Sequence, residues 1–248
     1  MASRIFNFQP PPILEEADSM EETTSPDFWL NSGAKFIITD GRGETIQGRL
    51  PDDDKWRLRY KRSSATDTGD GYYPQNLFRL VTKSRWNNFV QEMQFRITKV
   101  NLIDTPERDA WSGVFFFNRY SDGDNVYYTG LRVDGSAIIK KKIGGTYYTL
   151  KQQESVFSGC YDRDKNPNLI PVNRWIGIRS EVSDLANGNV MISLSLDREN
   201  TGKWERLLTE TDPWALLEGM DVIRGSASAG IRTDYFDVQF QNYKLDEK

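Results

Sequence analysis

Two tight-turn signals close together limit what this chain can fold into more than any other feature of it. In "YYTGLRVDGSAIIKKKIGGTYYTL", Tyr127 to Leu150, the pairs Asp134-Gly135 and Gly144-Gly145 each separate runs rich in β-forming residues. A type I′ turn needs positive φ at both central residues, and pairs of this kind supply it, so the stretch reads as an antiparallel meander over 126–133, 136–143 and 146–151. Two-residue loops fix the register, with Tyr127 facing Lys142 and Lys142 facing Tyr147. Alternation with period two then places Tyr127, Thr129, Lys140, Lys142, Tyr147 and Thr149 on one face. The opposite face carries Tyr128, Ala137, Ile139, Ile143, Tyr148 and Leu150 and is the expected core side, although Arg132 and Lys141 fit it poorly. Tyrosine rings beside lysines suit sugar rings and acidic groups. The same face also suits a solvated surface on which Lys–Tyr pairs simply stabilise the sheet.

The rest of the chain repeats the strand pattern. Strands are expected at 35–39, 45–49, 76–82, 88–99, 111–120, 174–183, 189–197, 203–209, 228–233 and 235–245, punctuated by Gly, Asn and Asp. "NGN" at 187–189 and "DRENTGKW" at 197–204 close two hairpins, and only "TDPWALLEG" at 211–219 reads as a short helix. Residues 1–26 are proline-rich, then acidic, and read as a mostly irregular arm that orders against a partner. Residues 27–248 form one all-β domain, a two-sheet antiparallel sandwich of the jelly-roll kind.

Composition removes several function classes. The chain has 248 residues and no histidine, so Ser-His-Asp and Cys-His catalysis, histidine bases and His-ligated zinc are excluded. Cys160 is the only cysteine, and no intrachain disulfide can form. A net charge of −4 predicts no nucleic-acid partner. No apolar run is long enough to span a bilayer, so no membrane partner is expected; the first residues lack the apolar stretch of a signal peptide, and the sequence leaves the compartment open, with an extracellular setting or a virion surface among the alternatives.

Several phrases carry a family resemblance. "VFFFNRYSDGDNVYYTGLRVDG", "NRWIGIRSEV" with "NVMISLSLDRENTGKWERL", and the closing "SAGIRTDYFDVQFQNYKLDE" resemble the concanavalin A-like lectin/glucanase superfamily, with laminin-G-like domains and alginate- and glucuronan-lyase-like jelly rolls among its members. The resemblance covers 27–248 and rests on strand pattern. It implies two curved sheets whose concave face holds glycan in many members, while fold by itself leaves function open.

Three constellations follow. Glu16, Asp18 and Glu21 have the E-x-D-x-x-E spacing of family-16 glycoside hydrolases, but lie in the arm without a strand to align them, so the spacing reads as chance. A histidine-free polysaccharide lyase would need a cation or amide on the uronate carboxylate and tyrosines to move protons. Arg96, Arg119, Arg132 or Arg232, with Gln91 or Gln94 and Tyr127, Tyr147 or Tyr235, supply those groups, whereas "YFDVQ" places Asp237 where the lyase signature has lysine. Asp162, Asp164 and Asn166 in "DRDKN" are the expected ligands if a structural calcium ion is held, with Asp122, Asp124 and Asn125 in "SDGDN" as a second acidic turn. Of seven tryptophans, Trp56 stands out, in a long charged stretch with Tyr60, Tyr72 and Tyr73 that reads as a loop capping a glycan groove or as a surface excursion.

The first expectation is therefore a carbohydrate-recognition domain for an acidic polysaccharide, with Tyr127, Arg132, Lys140, Lys142, Tyr147, Arg119, Gln94 and Trp56 as ligand-binding residues. The alternatives are a Tyr/Arg polysaccharide lyase and a structural decoration or appendage protein of a virus particle or cell surface, assembled as a homo-oligomer through the arm.

Overall fold

The computed structural model describes residues 3–6, 8, 12–212 and 221–248. In chain order its strands are β1 (Ser3–Phe6), β2 (Ile13–Glu15), β3 (Phe28–Ser32), β4 (Lys35–Thr39) and β5 (Arg42–Thr45). Two helices follow, α1 (Lys55–Ser63) and α2 (Ala65–Thr68). Then come β6 (Leu77–Trp86), β7 (Phe89–Val100), β8 (Gly113–Asp122), β9 (Asn125–Arg132), β10 (Ala137–Ile143) and β11 (Thr146–Gln153). The last are β12 (Ile176–Asp184), β13 (Val190–Asp197), β14 (Glu205–Asp212), β15 (Ala227–Asp234) and β16 (Phe236–Glu247). The helix expected at 211–219 begins on Thr211 and Asp212, which end β14, and its remainder lies outside the described residues.

The strands form two antiparallel sheets. One runs β14-β13-β12-β7-β16-β5-β4-β2, with β1 also paired to β16, and the other runs β11-β10-β9-β8-β15-β6-β3. Between them lies one apolar cluster, to which Phe95, Ile97, Val238 and Phe240 come from the first sheet and Leu80, Phe116, Ile139 and Ile231 from the second. β7 shows why the pattern was readable. Phe89, Gln91, Met93, Phe95 and Ile97 are buried, while Val90, Glu92, Gln94 and Arg96 between them are not.

Three local expectations change. The N-terminal segment is not irregular throughout, because β1 pairs with β16 from Ser3↔Asp246 to Phe6↔Tyr243 and β2 pairs with β4. Phe6, Phe8 and Leu14 are buried, and the Phe6 ring lies 4.8 Å from Phe28 and 5.3 Å from Tyr243. Burying each phenylalanine stabilises by roughly 1.5–3 kcal/mol, comparable with the ordering cost of the few residues around it. The segment's acids are met as well: Glu15 accepts from Lys55, Glu16 from Tyr60 and the Ala34 amide, and Asp18 from Arg59.

The charged stretch around Trp56 is helical rather than a loop. Asp54 caps α1 by accepting from the Trp56 amide at 2.8 Å, and Trp56 and Tyr60, one turn apart, pack with Ala34, Ile46 and Leu50.

The third change is one of register. β10 and β11 pair as expected, Lys142 with Tyr147 and Lys140 with Thr149, across Gly144 and Gly145, both at positive φ. β9, however, pairs Lys140 with Tyr128 and Lys141 with Tyr127. The Arg132 amide donates to the Ser136 carbonyl at 2.9 Å and the Gly135 amide to the Arg132 carbonyl at 3.0 Å. The loop thus holds three residues, Val133 to Gly135, with Gly135 at φ 80° closing it. One extra loop residue turns every β9 side chain to the other face. Tyr127 goes into the core, and Tyr128 joins Lys140, Lys142 and Tyr147 on the outside.

Candidate functional site

The outer face of the seven-stranded sheet carries a cavity of about 660 Å³, within the span of roughly 300–1,000 Å³ common for small-ligand clefts. Its floor takes residues from six adjacent strands: Tyr147 and Thr149 from β11, Lys140 from β10, Tyr128 from β9, Phe115 from β8, Arg232 and Asp234 from β15, and Leu77 and Arg79 from β6. It is therefore a groove running across the strands. Phe115, Arg232 and Arg79 are successive cross-strand neighbours, as are Thr149, Lys140 and Tyr128. Gly130 faces Phe115 across β8 and β9, and a Cβ there would stand 2.8 Å from the Phe115 ring, so the glycine is what leaves room for the ring.

One wall is built by the loop between β7 and β8, with Glu107, Asp109, Trp111 and Ser112, and the end by Asp67 and Tyr235. The Asp109 carboxylate accepts from the Trp111 amide at 2.7 Å and sets the turn that presents the indole. Trp111 is 46% exposed, and its ring covers the Arg132 guanidinium at 4.0 Å and the Lys140 ammonium at 4.6 Å. The Tyr147 ring, also 46% exposed, covers Lys140 at 4.6 Å from the other side. Lys140 thus sits between two aromatic faces, a favourable place for a cation.

Charge is unevenly met. Arg232 pairs with Asp234 at 2.9 Å, and Asp67 accepts from Thr105 at 2.9 Å and Tyr235 at 3.3 Å. Arg79 and Lys140 form no ion pair with a carboxylate among the described residues. Burial, then the nearby Arg232 guanidinium, holds the Lys140 ammonium below its ordinary range, against the pull of Tyr147. Burial pushes the Tyr147 phenol up, but Arg232, hydrogen bonds from Tyr128 and Arg232, and Lys142 outweigh it and hold the phenol below the ordinary tyrosine range. Burial pushes the Tyr128 hydroxyl up, so of the pair Tyr128 is the donor.

Of the residues singled out from sequence, Lys140, Tyr147, Arg232 and Tyr235 meet in this groove, and Arg132 lies beneath Trp111. Lys142 lies at its edge, paired with Asp124 at 2.9 Å. The others lie elsewhere. Tyr127 is fully buried and donates to Asp212 at 2.6 Å, a correction that follows from the three-residue loop. Arg119 is fully buried too, paired with Asp184 and donating to the Ile223 carbonyl. A bulge in β8 after Asn118 puts Arg119 at φ 54° and breaks the alternation that would have faced it outwards. Gln94 and Arg96 lie on the far face of the nine-stranded sheet, where Gln94 accepts from Gln241 at 2.7 Å and Arg96 donates to Gln239. Gln91 is in the core, donating to the Phe117 carbonyl at 2.8 Å. Trp56 is 5% exposed on α1 and lines no cavity described here.

The DRDKN turn is closed by its own atoms. The Asp162 carboxylate accepts from the Asp164 and Lys165 amides, which hold it below the usual carboxylate range, Asp164 pairs with Arg108, and Asn166 donates to the Cys160 carbonyl. Among the described residues no group of three or more Asp, Glu or Cys side chains is arranged to hold a metal ion. Sequence reading missed Tyr128, Arg79, Trp111 and Phe115. A correct loop length would have found Tyr128, but the exposure of Trp111 has no local signal.

No family model matches the chain, and no curated protein matches it. Among solved structures it resembles the carbohydrate-binding module CBM66 from Bacillus subtilis, with TM-score 0.51 and 11% identity over 88% of this chain and 95% of that one. The exoplasmic/lumenal domain of VIP36 in its Ca2+-bound form follows, with TM-score 0.49 and 9% identity over 96% and 90%. The GH43 protein BlXynB from Bacillus licheniformis gives TM-score 0.49 and 7% identity over 97% of this chain and 40% of that one. At such identity the likeness concerns the fold alone, a two-sheet antiparallel β-sandwich of the jelly-roll kind.

Proposed function

We propose that this concanavalin A-like jelly roll binds carbohydrate in the groove across its seven-stranded sheet, and that the glycan is acidic. The observation that carries the reading is the pair Arg79 and Lys140, cations in the floor without a carboxylate partner among the described residues, beside the exposed rings of Trp111 and Tyr147. Aromatic faces supply a platform for sugar rings, and the cations supply charge-assisted hydrogen bonds to carboxylate or sulfate groups. Of the four carboxylates that line the groove, only Asp234 is ion-paired among the described residues, with Arg232; Asp67 accepts from Tyr235 and Thr105, and Asp109 from the Trp111 amide, bonds that orient them without cancelling their charge. Glu107 stands at the exposed rim, so the unpaired positive charge is local to the floor around Arg79 and Lys140. The fold, shared with a carbohydrate-binding module, supports carbohydrate binding by analogy and does not bear on the acidity of the glycan.

A second reading, lyase chemistry, is favoured by one observation. The Tyr147 phenol is in the groove, within 3.5 Å of the Arg232 guanidinium and below the ordinary tyrosine range. A phenolate there could take the proton beside a uronate carboxylate that Arg232 neutralises.

One experiment separates the two. Purified protein is run in affinity gels containing alginate, polyglucuronate, pectate or a neutral glucan while ultraviolet absorbance from unsaturated sugar ends is followed. Retardation by an acidic glycan that weakens with added salt supports binding. Lys140→Ala and Arg79→Ala should each weaken it by roughly 1.5–3 kcal/mol, the worth of a hydrogen bond to a charged group. Retardation by the neutral glucan alone would refute the acidic reading. An absorbance rise abolished by Tyr147→Phe would establish the lyase.

A further inference from the structure

Resting on the acidic-glycan reading, we infer that the groove holds two consecutive anionic sugars, one against Lys140 and Arg232 and the next against Lys142, with Arg79 between them. A smaller cavity of about 130 Å³ adjoins the main one and is lined by Asn31, Arg79, Phe117, Tyr120, Tyr128, Lys142 and Tyr147, with Gly123. Arg79, Tyr128 and Tyr147 line both cavities, so the two are compartments of a single groove. Each compartment has its own lysine. Lys140 lines only the larger and Lys142 only the smaller, and both lie against the Tyr147 ring, at 4.6 and 5.2 Å. The ring is the partition between them.

The spacing comes from the strand itself. Lys140 and Lys142 are two residues apart on β10, so they share a face and stand about 7 Å apart along the strand. That pitch is on the scale of one sugar ring with its glycosidic link, so anionic groups on neighbouring residues of a polymer would meet successive lysines. Lys142 is held by the Asp124 carboxylate at 2.9 Å and the Gly123 carbonyl at 2.8 Å, which keeps its ammonium over the ring. Arg79 reaches both compartments, and it is the cation best placed to bridge the two sugars.

The test is calorimetric titration with the monomer, dimer and tetramer of glucuronate, guluronate and galacturonate, and with a tetramer in which uronate alternates with a neutral sugar. Each charge-assisted contact is worth about tenfold in affinity or more, so the homopolymer dimer should bind at least about tenfold more tightly than its monomer. In Lys142→Ala the ratio of dimer to monomer affinity should fall towards one. In Lys140→Ala both affinities should fall and the ratio should persist. Equal affinity for monomer and dimer would overturn the two-compartment assignment while leaving acidic-glycan binding intact. So would an alternating tetramer that binds as tightly as the homopolymer. Absence of binding at every length would overturn the acidic-glycan reading itself.

Discussion

Lys140 shows how one residue gathers the chemistry of the site. Period two on β10 puts it outward, the tyrosine across the strand pair and the tryptophan from a distant loop enclose it, and Arg232 and Arg132 press on its charge. Its ammonium is held below the ordinary lysine range, and the Tyr147 phenol beside it is held below the ordinary tyrosine range. Both changes act in one direction on an anionic ligand: as pH rises, the groove loses a positive charge and gains a negative one. Affinity for an acidic glycan should therefore fall on the alkaline side earlier than free lysine or tyrosine would allow. Titrations across pH with wild type, Lys140→Arg, Tyr147→Phe and the double variant check this, because arginine stays charged and phenylalanine cannot ionise. The double variant should keep its affinity further into the alkaline range than wild type does. A wild-type profile as flat as the double variant's would show that neither group meets the ligand.

At the scale of elements, loop length decides which side chains reach the groove. Gly144 and Gly145 form a two-residue turn and keep Lys142 opposite Tyr147, as their sequence predicts. Asp134-Gly135 carries the same signal, yet its loop holds three residues, and Tyr128 rather than Tyr127 faces out. The two loop lengths share turn residues, so the dipeptide cannot tell them apart. What separates them is which face of β9 fits the core, where Tyr127 finds Asp212 as a hydrogen-bond partner. Glycine sets the floor in the same way. A methyl at Gly130 would stand 2.2 Å from the Val114 carbonyl and 2.8 Å from the Phe115 ring, so Gly130→Ala must displace the strand or the ring. Overpacking of this kind costs roughly 1–3 kcal/mol. Chemical denaturation should show that loss, and glycan affinity should fall with it as Phe115 leaves the floor. Unchanged stability and binding would mean that the floor is looser than its packing implies.

For the whole molecule, the N-terminal segment matters more than its composition indicates. Its prolines and acids read as an irregular arm, but Phe6 and Phe8 enter the core and Glu15, Glu16 and Asp18 meet groups on α1. Met20 and Trp29 pack against the cluster of Val81, Phe117 and Tyr120 on the groove side of the sheet, so this part of the chain supports the end of the smaller cavity. Glu16 makes the docking sensitive to pH. Burial raises its carboxyl above the ordinary 4.5, more than the bonds from Tyr60 and Ala34 and the charge of Arg59 lower it. Between 4.5 and the raised folded value, the folded protein binds a proton that the unfolded chain has lost. The contribution of Glu16 to stability is thus full below 4.5 and lost as pH rises through the folded value. Glu16→Gln keeps an acceptor for Tyr60 and removes the ionisation. Relative to that variant, wild type should lose stability in denaturant melts as pH rises above 4.5. A difference that stays constant, or grows with pH, would show Glu16 to be ionised in the folded protein.

The all-β sandwich, the bounds of most of its strands and the exclusion of histidine chemistry were determined by the sequence alone, because turn residues and period-two alternation are local signals. So were Lys140, Lys142 and Tyr147 as neighbours, since a two-residue glycine turn leaves one register. Only the tertiary structure decided that Tyr128 replaces Tyr127, that Trp56 is buried on a helix while Trp111 is exposed, and that Arg79 and Arg232 face the same groove. These are contacts between strands and loops far apart in the chain. Residues there are placed by burial against partners that no local pattern names, and a bulge or one extra loop residue is enough to reverse the face they show.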